Sequence, residues 1–158
     1  MRPKPIHLTL LSLLLFALCA CSSPPPGPVA LPAAWPEFTA APGITAKLDA
    51  PREVAAKAAL ISARIVLTNT GTQPRTLSVP TPCDIEDWRL LDAAGHPVMA
   101  KHPETCSHEA QSRTLAPGAS LQADVFLGLG PEGLRSGQHY TIDYRFWGQR
   151  AVAGFTAR

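Results

Sequence analysis

From residue 44 onward, apolar and polar side chains alternate in short runs punctuated by Gly, Pro and Asn. In 60–68, Ile61, Ala63, Ile65 and Leu67 fall on one side, and Ser62, Arg64 and Thr68 on the other. A period of two is that of a strand with one buried and one wet face. The same pattern returns in 121–127, where Leu121, Ala123, Val125 and Leu127 alternate with Gln122, Asp124 and Phe126 behind a Pro117-Gly118 turn. It is strongest in 139–146: Tyr140, Ile142, Tyr144 and Phe146 form the apolar side, and His139, Thr141, Asp143 and Arg145 the wet side. Shorter runs predict further strands at 44–48, 75–79, 86–91 and 149–155, and the shortest, at 96–100 and 112–115, carry the weakest strand signals.

Asn69-Thr70-Gly71 and 92–95 punctuate these runs as turns, because Asn and Gly adopt the backbone angles that turns require. An Ala-rich stretch at 54–60 predicts one helical turn, and no other segment sustains helical periodicity. Seven or eight short strands with turns at this spacing predict an all-β fold, an antiparallel immunoglobulin-like β-sandwich over residues 44–158. A stretch of this length is enough for one core.

The first 43 residues read differently. Arg2 and Lys4 precede an apolar run from Ile6 to Ala20, too short for a membrane span, which needs about 18–20 residues. Leu18-Cys19-Ala20-Cys21 at its end resembles the lipobox of bacterial lipoprotein precursors. That resemblance implies that 1–20 is a signal peptide, cleaved before Cys21, and that Cys21 carries the acyl chains that anchor the protein to a membrane. Two or three such chains hold stably where one does not. Ser22 follows Cys21, and in that family the lack of Asp there favours the outer membrane, facing the periplasm, in a Gram-negative envelope. Residues 21–43 then form a tether. Pro24, Pro25, Pro26, Pro28, Pro32, Pro36 and Pro42 bar it from a helix or a central strand and favour an extended spacer.

Processing alters the charge balance. The whole chain has 14 basic and 12 acidic residues, and losing Arg2 and Lys4 brings the net charge from +2 to zero. A neutral domain is poorly suited to nucleic acid, so no nucleic-acid partner is expected. Of the four cysteines, Cys83 and Cys106 remain outside the signal and the anchor. In an oxidising envelope compartment such a pair reads as a disulfide stapling the loop after Lys101 to the strand start near Pro82.

The run from Ile65 to Asn69, then Leu77, Pro82-Cys83-Asp84, Trp88, Leu90, Asp92, Gly95, Val98, Leu115-Ala116-Pro117-Gly118 and 134–144, is similar to the BsuPI-type intracellular proteinase inhibitor domain. Met99 stands where that family often has an aromatic residue, and Cys106 is an addition to its pattern. The resemblance implies a small immunoglobulin-like sandwich and, in its founding member, inhibition of a protease. Its motifs are turns and core positions, so no inhibitory residue transfers.

His102, Cys106 and His108, beside Glu109 and with Cys83 available from another strand, offer the nitrogen, sulfur and oxygen donors that zinc or copper accept. Against a metal, no Cys-x-x-Cys or paired-His spacing appears, and an oxidised pair removes the thiolates, so no metal or other cofactor is expected. The chain has no Gly-x-Ser-x-Gly elbow, phosphate loop or His-Glu-x-x-His motif. Asp84, Glu86 and Asp87 read as a solvated strand edge. The expectation is a non-enzyme: a lipid-anchored envelope module that binds another envelope protein, with protease inhibition and metal binding by the 102–109 loop as alternatives.

Overall fold

The computed structural model describes residues 41–102 and 104–158. Its strands are β1 (Ile44–Asp49), β2 (Glu53–Val54), β3 (Leu60–Asn69), β4 (Arg75–Val79), β5 (Glu86–Leu91), β6 (Pro97–Ala100), β7 (Gln111–Leu115), β8 (Ser120–Gly128), β9 (His139–Phe146) and β10 (Gln149–Ala157), with a single 3-10 turn at Pro82–Ile85. They form a three-stranded sheet in the order β1-β3-β8, a five-stranded sheet β2-β10-β9-β5-β6 and a two-stranded ribbon β4-β7. All pairings are antiparallel except β2 with β10. The domain is therefore an all-β sandwich, with ten strands where the pattern suggested seven or eight.

β2, which no run in the sequence pattern predicted, accounts for the helical turn expected at 54–60. Ala56 donates its amide to the carbonyl of Arg158, and Arg158 donates to Val54, while Leu134 donates to Ala56. Ala58 to Ala55 is a single turn bond. The backbone groups a helix would use are thus consumed at the edge of β10, and Val54 turns into the core. Tertiary pairing overrides the helix propensity of alanine.

The alternation in β3 and, Asp143 apart, in β9 places side chains as the sequence pattern requires. Ile61, Ile65 and Leu67 from β3 and Val125 and Leu127 from β8 are buried with Leu90 of β5, Ile142, Tyr144 and Phe146 of β9 and Phe155 of β10. Burying each large aliphatic or aromatic group contributes about 1.5–3 kcal/mol. Tyr140 stacks on Phe155 with ring centroids 5.7 Å apart. A small void lined by Ile61, Leu90, Leu127 and Ile142 is apolar.

The two ladders β3-β8 and β4-β7 meet at a corner formed by Asn69, which is fully buried. Its Nδ2 donates to the carbonyls of Gln73 and Leu115, each at 2.9 Å, and its Oδ1 accepts from Gly71 N at 3.0 Å. Its own amide donates to Ala119 O at 3.0 Å, and Gly118 N donates to Asn69 O at 2.8 Å. The Pro117-Gly118 turn closes around this point, with Gly118 at φ 74°, an angle that favours glycine.

Replacing Asn69 by Ala is expected to orphan the buried Leu115 carbonyl and to remove the partner of the half-buried Gln73 carbonyl and Gly71 amide, lowering unfolding free energy by about 1–3 kcal/mol. Asn69→Asp should cost a similar amount, because a carboxylate cannot donate to the two carbonyls. Urea unfolding followed by circular dichroism tests this, and an unchanged midpoint in both variants would refute it.

Candidate functional site

The connection from β6 to β7, residues 101–110, of which 103 is not described, is tied to the rest of the domain by side chains. Its anchor begins with the 3-10 turn. Asp84 Oδ2 accepts from Thr81 N at 3.0 Å and Thr81 Oγ1 at 2.8 Å, while Asp84 N donates to Thr81 O at 3.1 Å. This reciprocal cap fixes Cys83, which is disulfide-bonded to Cys106 with Cα atoms 5.8 Å apart. Lys101 holds the near end of the loop. Its amide donates to Trp88 O at 3.0 Å and its Nζ to Glu86 O at 3.2 Å, and it forms ion pairs with Glu86 at 3.7 Å and Glu104 at 3.3 Å. The loop is thus pinned from both sides, while His102, Glu104 and His108 remain exposed on it.

The metal candidates are not assembled. Among the described residues, the group whose ligand atoms lie within 4.8 Å of one another is Cys83, Glu104 and Cys106. It contains neither His102 nor His108, and its two sulfurs are bonded to each other. A disulfide offers no thiolate, so the set fits neither zinc nor copper. Cys21 lies outside the described residues.

The acidic trio expected to be one solvated edge is divided among three roles. Asp84 caps the turn. Glu86 accepts a hydrogen bond from the Tyr144 hydroxyl at 3.0 Å, and burial together with the Glu86 charge pushes that phenol well above its ordinary range. Asp87 accepts from its neighbour's amide, Trp88 N, at 2.8 Å. Burial raises the Asp87 carboxyl above its usual value, and the Trp88 amide and the nearby Lys101, Arg145 and Arg89 offset part of that rise.

Asp143 departs furthest from the sequence pattern. It has the parity of the wet face of β9, yet it is 0% exposed. Arg89, directly opposite on β5, donates through Nη2 to its Oδ2 at 3.0 Å, and Arg150 of β10 donates through Nε to its Oδ1 at 2.6 Å. The Asp143 hydrogen bond raises the Arg150 guanidinium, whereas burial lowers that of Arg145. Three neighbouring strands therefore share a charge cluster on the outer side of the five-stranded sheet. Only their register brings these groups together, so the linear sequence carries no direct signal of it. The cluster sets one buried carboxylate against two guanidinium groups.

Opening the staple with a Cys83→Ser, Cys106→Ser double substitution should cost about 3 kcal/mol, the loop-closure contribution for a span of this size, read as a lower urea midpoint. Asp143→Ala leaves Arg89 buried without its carboxylate and is expected to cost about 3–5 kcal/mol. Asp87 gives a pH signature. A carboxyl whose folded pKa is raised adds stability in full below the unfolded value, and that stability is lost as pH climbs through the folded value. Asp87→Asn should therefore flatten the fall in stability on the alkaline side of the ordinary carboxylate range, and an unchanged pH profile would count against the burial of Asp87.

No protein-family model and no curated protein matches the sequence. Among solved structures, the chain is similar to the alkylpurine DNA glycosylase AlkC of Pseudomonas fluorescens, at 15% identity and a TM-score of 0.43, over 73% of this chain and 30% of that one. It is similar to a β-glucosidase from Listeria innocua at 10% identity and TM-score 0.42, over 72% of this chain and 16% of that one. A third likeness is to a putative β-galactosidase from Bacteroides fragilis at 18% identity and TM-score 0.41, over 74% and 16%. The matched part thus spans less than a third of each of those chains.

Proposed function

We propose that this protein is a lipid-anchored lipoprotein of the bacterial cell envelope, whose sandwich is a protein-binding module presented on a proline-rich tether. The observation that supports it most is the braced 101–110 loop. A disulfide at Cys106 and the Lys101 ion pairs hold it, while His102, Glu104 and His108 stay exposed. Restricting a loop before it binds lowers the ordering cost that binding must overcome. Rigid sandwiches commonly carry recognition on such loops. The anchor reading rests on the lipobox-like Leu18-Cys19-Ala20-Cys21 and the seven prolines between residues 22 and 43.

The same brace favours a second reading, protease inhibition of the BsuPI type. An inhibitor presents a segment that resists deformation in a protease cleft, and a stapled loop meets that need. The two readings differ in partner: an envelope scaffold protein, or a protease whose activity falls on binding.

Intact mass of the protein recovered from a bacterial membrane fraction tests the anchor. The expected species starts at Cys21 with acyl additions, and Cys21→Ser should abolish both the additions and the membrane association. Photo-crosslinkers placed at Glu104 and His108 should capture a discrete partner in cells, while one at Gln138, in the turn before β9, should not. Equal labelling at all three positions would sink the loop as the binding surface. Titration against envelope proteases separates the two readings: loss of proteolysis at stoichiometric addition selects the inhibitor.

A further inference from the structure

We propose that β8 is a self-pairing edge through which two copies of this chain join their three-stranded sheets into one six-stranded sheet. The argument starts from hydrogen-bond parity. Leu129 N donates to Ala59 O and Asn69 N to Ala119 O, and the β3-β8 register between those points is unbroken. In an antiparallel ladder, bonded and non-bonded pairs alternate. Leu121, Ala123, Val125 and Leu127 therefore spend their amides and carbonyls on β3. Those of Ser120, Gln122, Asp124, Phe126 and Gly128 point away from it, and no other described strand pairs with β8.

This open edge lacks the devices that natural proteins use to blunt edges. It is nine residues long, whereas β1 has six, β6 four and β2 two. β6 starts with Pro97, but β8 contains no Pro, no Lys and no bulge. Its one charge, Asp124, is neutralised within the chain by Arg64 at 2.7 Å. Phe126 is 68% exposed, and Leu60, diagonal to it across the ladder, is 48% exposed.

A second copy fits this edge better than the proline-rich residues ahead of β1. Those offer no amide at Pro24, Pro25, Pro26, Pro28, Pro32 or Pro36, whereas β8 offers an uninterrupted run of donors and acceptors of matching length. A twofold axis lets one operation satisfy both edges. Parity permits an axis at Asp124, Ala123 or Val125. An axis at Asp124 would set the two carboxylates face to face, which is unfavourable. The axis at Ala123 places Gln122 opposite Asp124 of the second copy, so that a side-chain amide donor meets each carboxylate. Ala123, small and at a close non-bonded position, allows the strands to approach. Phe126 then lies opposite Ser120 of the other copy and covers the end of the new ladder.

Sedimentation velocity of the full-length chain in mild detergent, over a concentration series, tests this. The wild-type chain should show a reversible monomer-dimer equilibrium. Gln122→Pro removes a donor from the open edge and none from the β3 ladder, and Phe126→Lys adds an edge charge. Each should weaken the dimer by about tenfold or more with the urea midpoint retained. Hydrogen exchange adds a second readout: the amides of Ser120, Gln122, Asp124 and Phe126 should gain protection as concentration rises, while those of Leu121, Ala123 and Val125 are protected throughout. A monomer at every concentration would overturn the proposal, as would a dimer indifferent to both substitutions. Protection of the even-numbered amides in the monomer would also overturn it, and would assign the edge to another part of the same chain.

Discussion

The side-chain amide of Asn69 is the constraint on which the arrangement of the strands depends. It stands where β3 ends and the chain turns toward β4, and where the β7-β8 turn comes back. Two carbonyls and one amide converge on this buried side chain, and Asn is a side chain that can donate twice and accept once at such a point. Without it, the β4-β7 ribbon would have no fixed angle to the β1-β3-β8 sheet, and Leu77, Val79 and Leu115 would lose the geometry that buries them. The consequence extends along the chain. β4 leads directly into the Thr81-capped turn that sets Cys83, so the position of the disulfide is inherited from the corner.

A second constraint operates across the five-stranded sheet. Arg89 and Asp143 sit directly opposite on β5 and β9, with Arg150 diagonal on β10. The net stabilisation from such a buried set is small, because removing charges from water offsets most of their attraction. Its effect on register is larger. Slipping β5 by one residue against β9 would move Trp88 and Leu90 out of the core and leave the Asp143 carboxylate opposite the wrong face. The aliphatic core rewards burial in general, whereas this cluster rewards one alignment of the strands.

The alternation of apolar residues identified the faces of β3 and β9 and the exposure of Phe126, because a period of two reports which side of a strand each residue occupies. It does not report what that side meets. By parity Asp143 belongs to the solvent side, although the arginines of two neighbouring strands cover it. Asp84, Glu86 and Asp87 look alike as a run of carboxylates. They separate only when Thr81, Tyr144 and the Trp88 amide are placed around them. β2 was missed for a related reason: its two residues gain their order from β10, some hundred positions further along the chain. The Asn69 turn was legible as a turn, but its role as a corner depends on Leu115, which only the fold brings near.

What the domain leaves at its surface follows from what its interior consumes. The sheets meet over apolar side chains, and the buried carboxylate is met by guanidinium groups. Left at the surface are a loop braced by covalent and ionic contacts and a strand edge whose amides and carbonyls face outward. In the binding role proposed above, both would act mainly through backbone geometry, which tolerates varied side chains. Anchoring at Cys21, as proposed, would also confine copies of the chain to one surface. Confinement raises the effective concentration of one edge for another, so an edge contact too weak to persist between freely diffusing domains becomes sufficient between tethered ones.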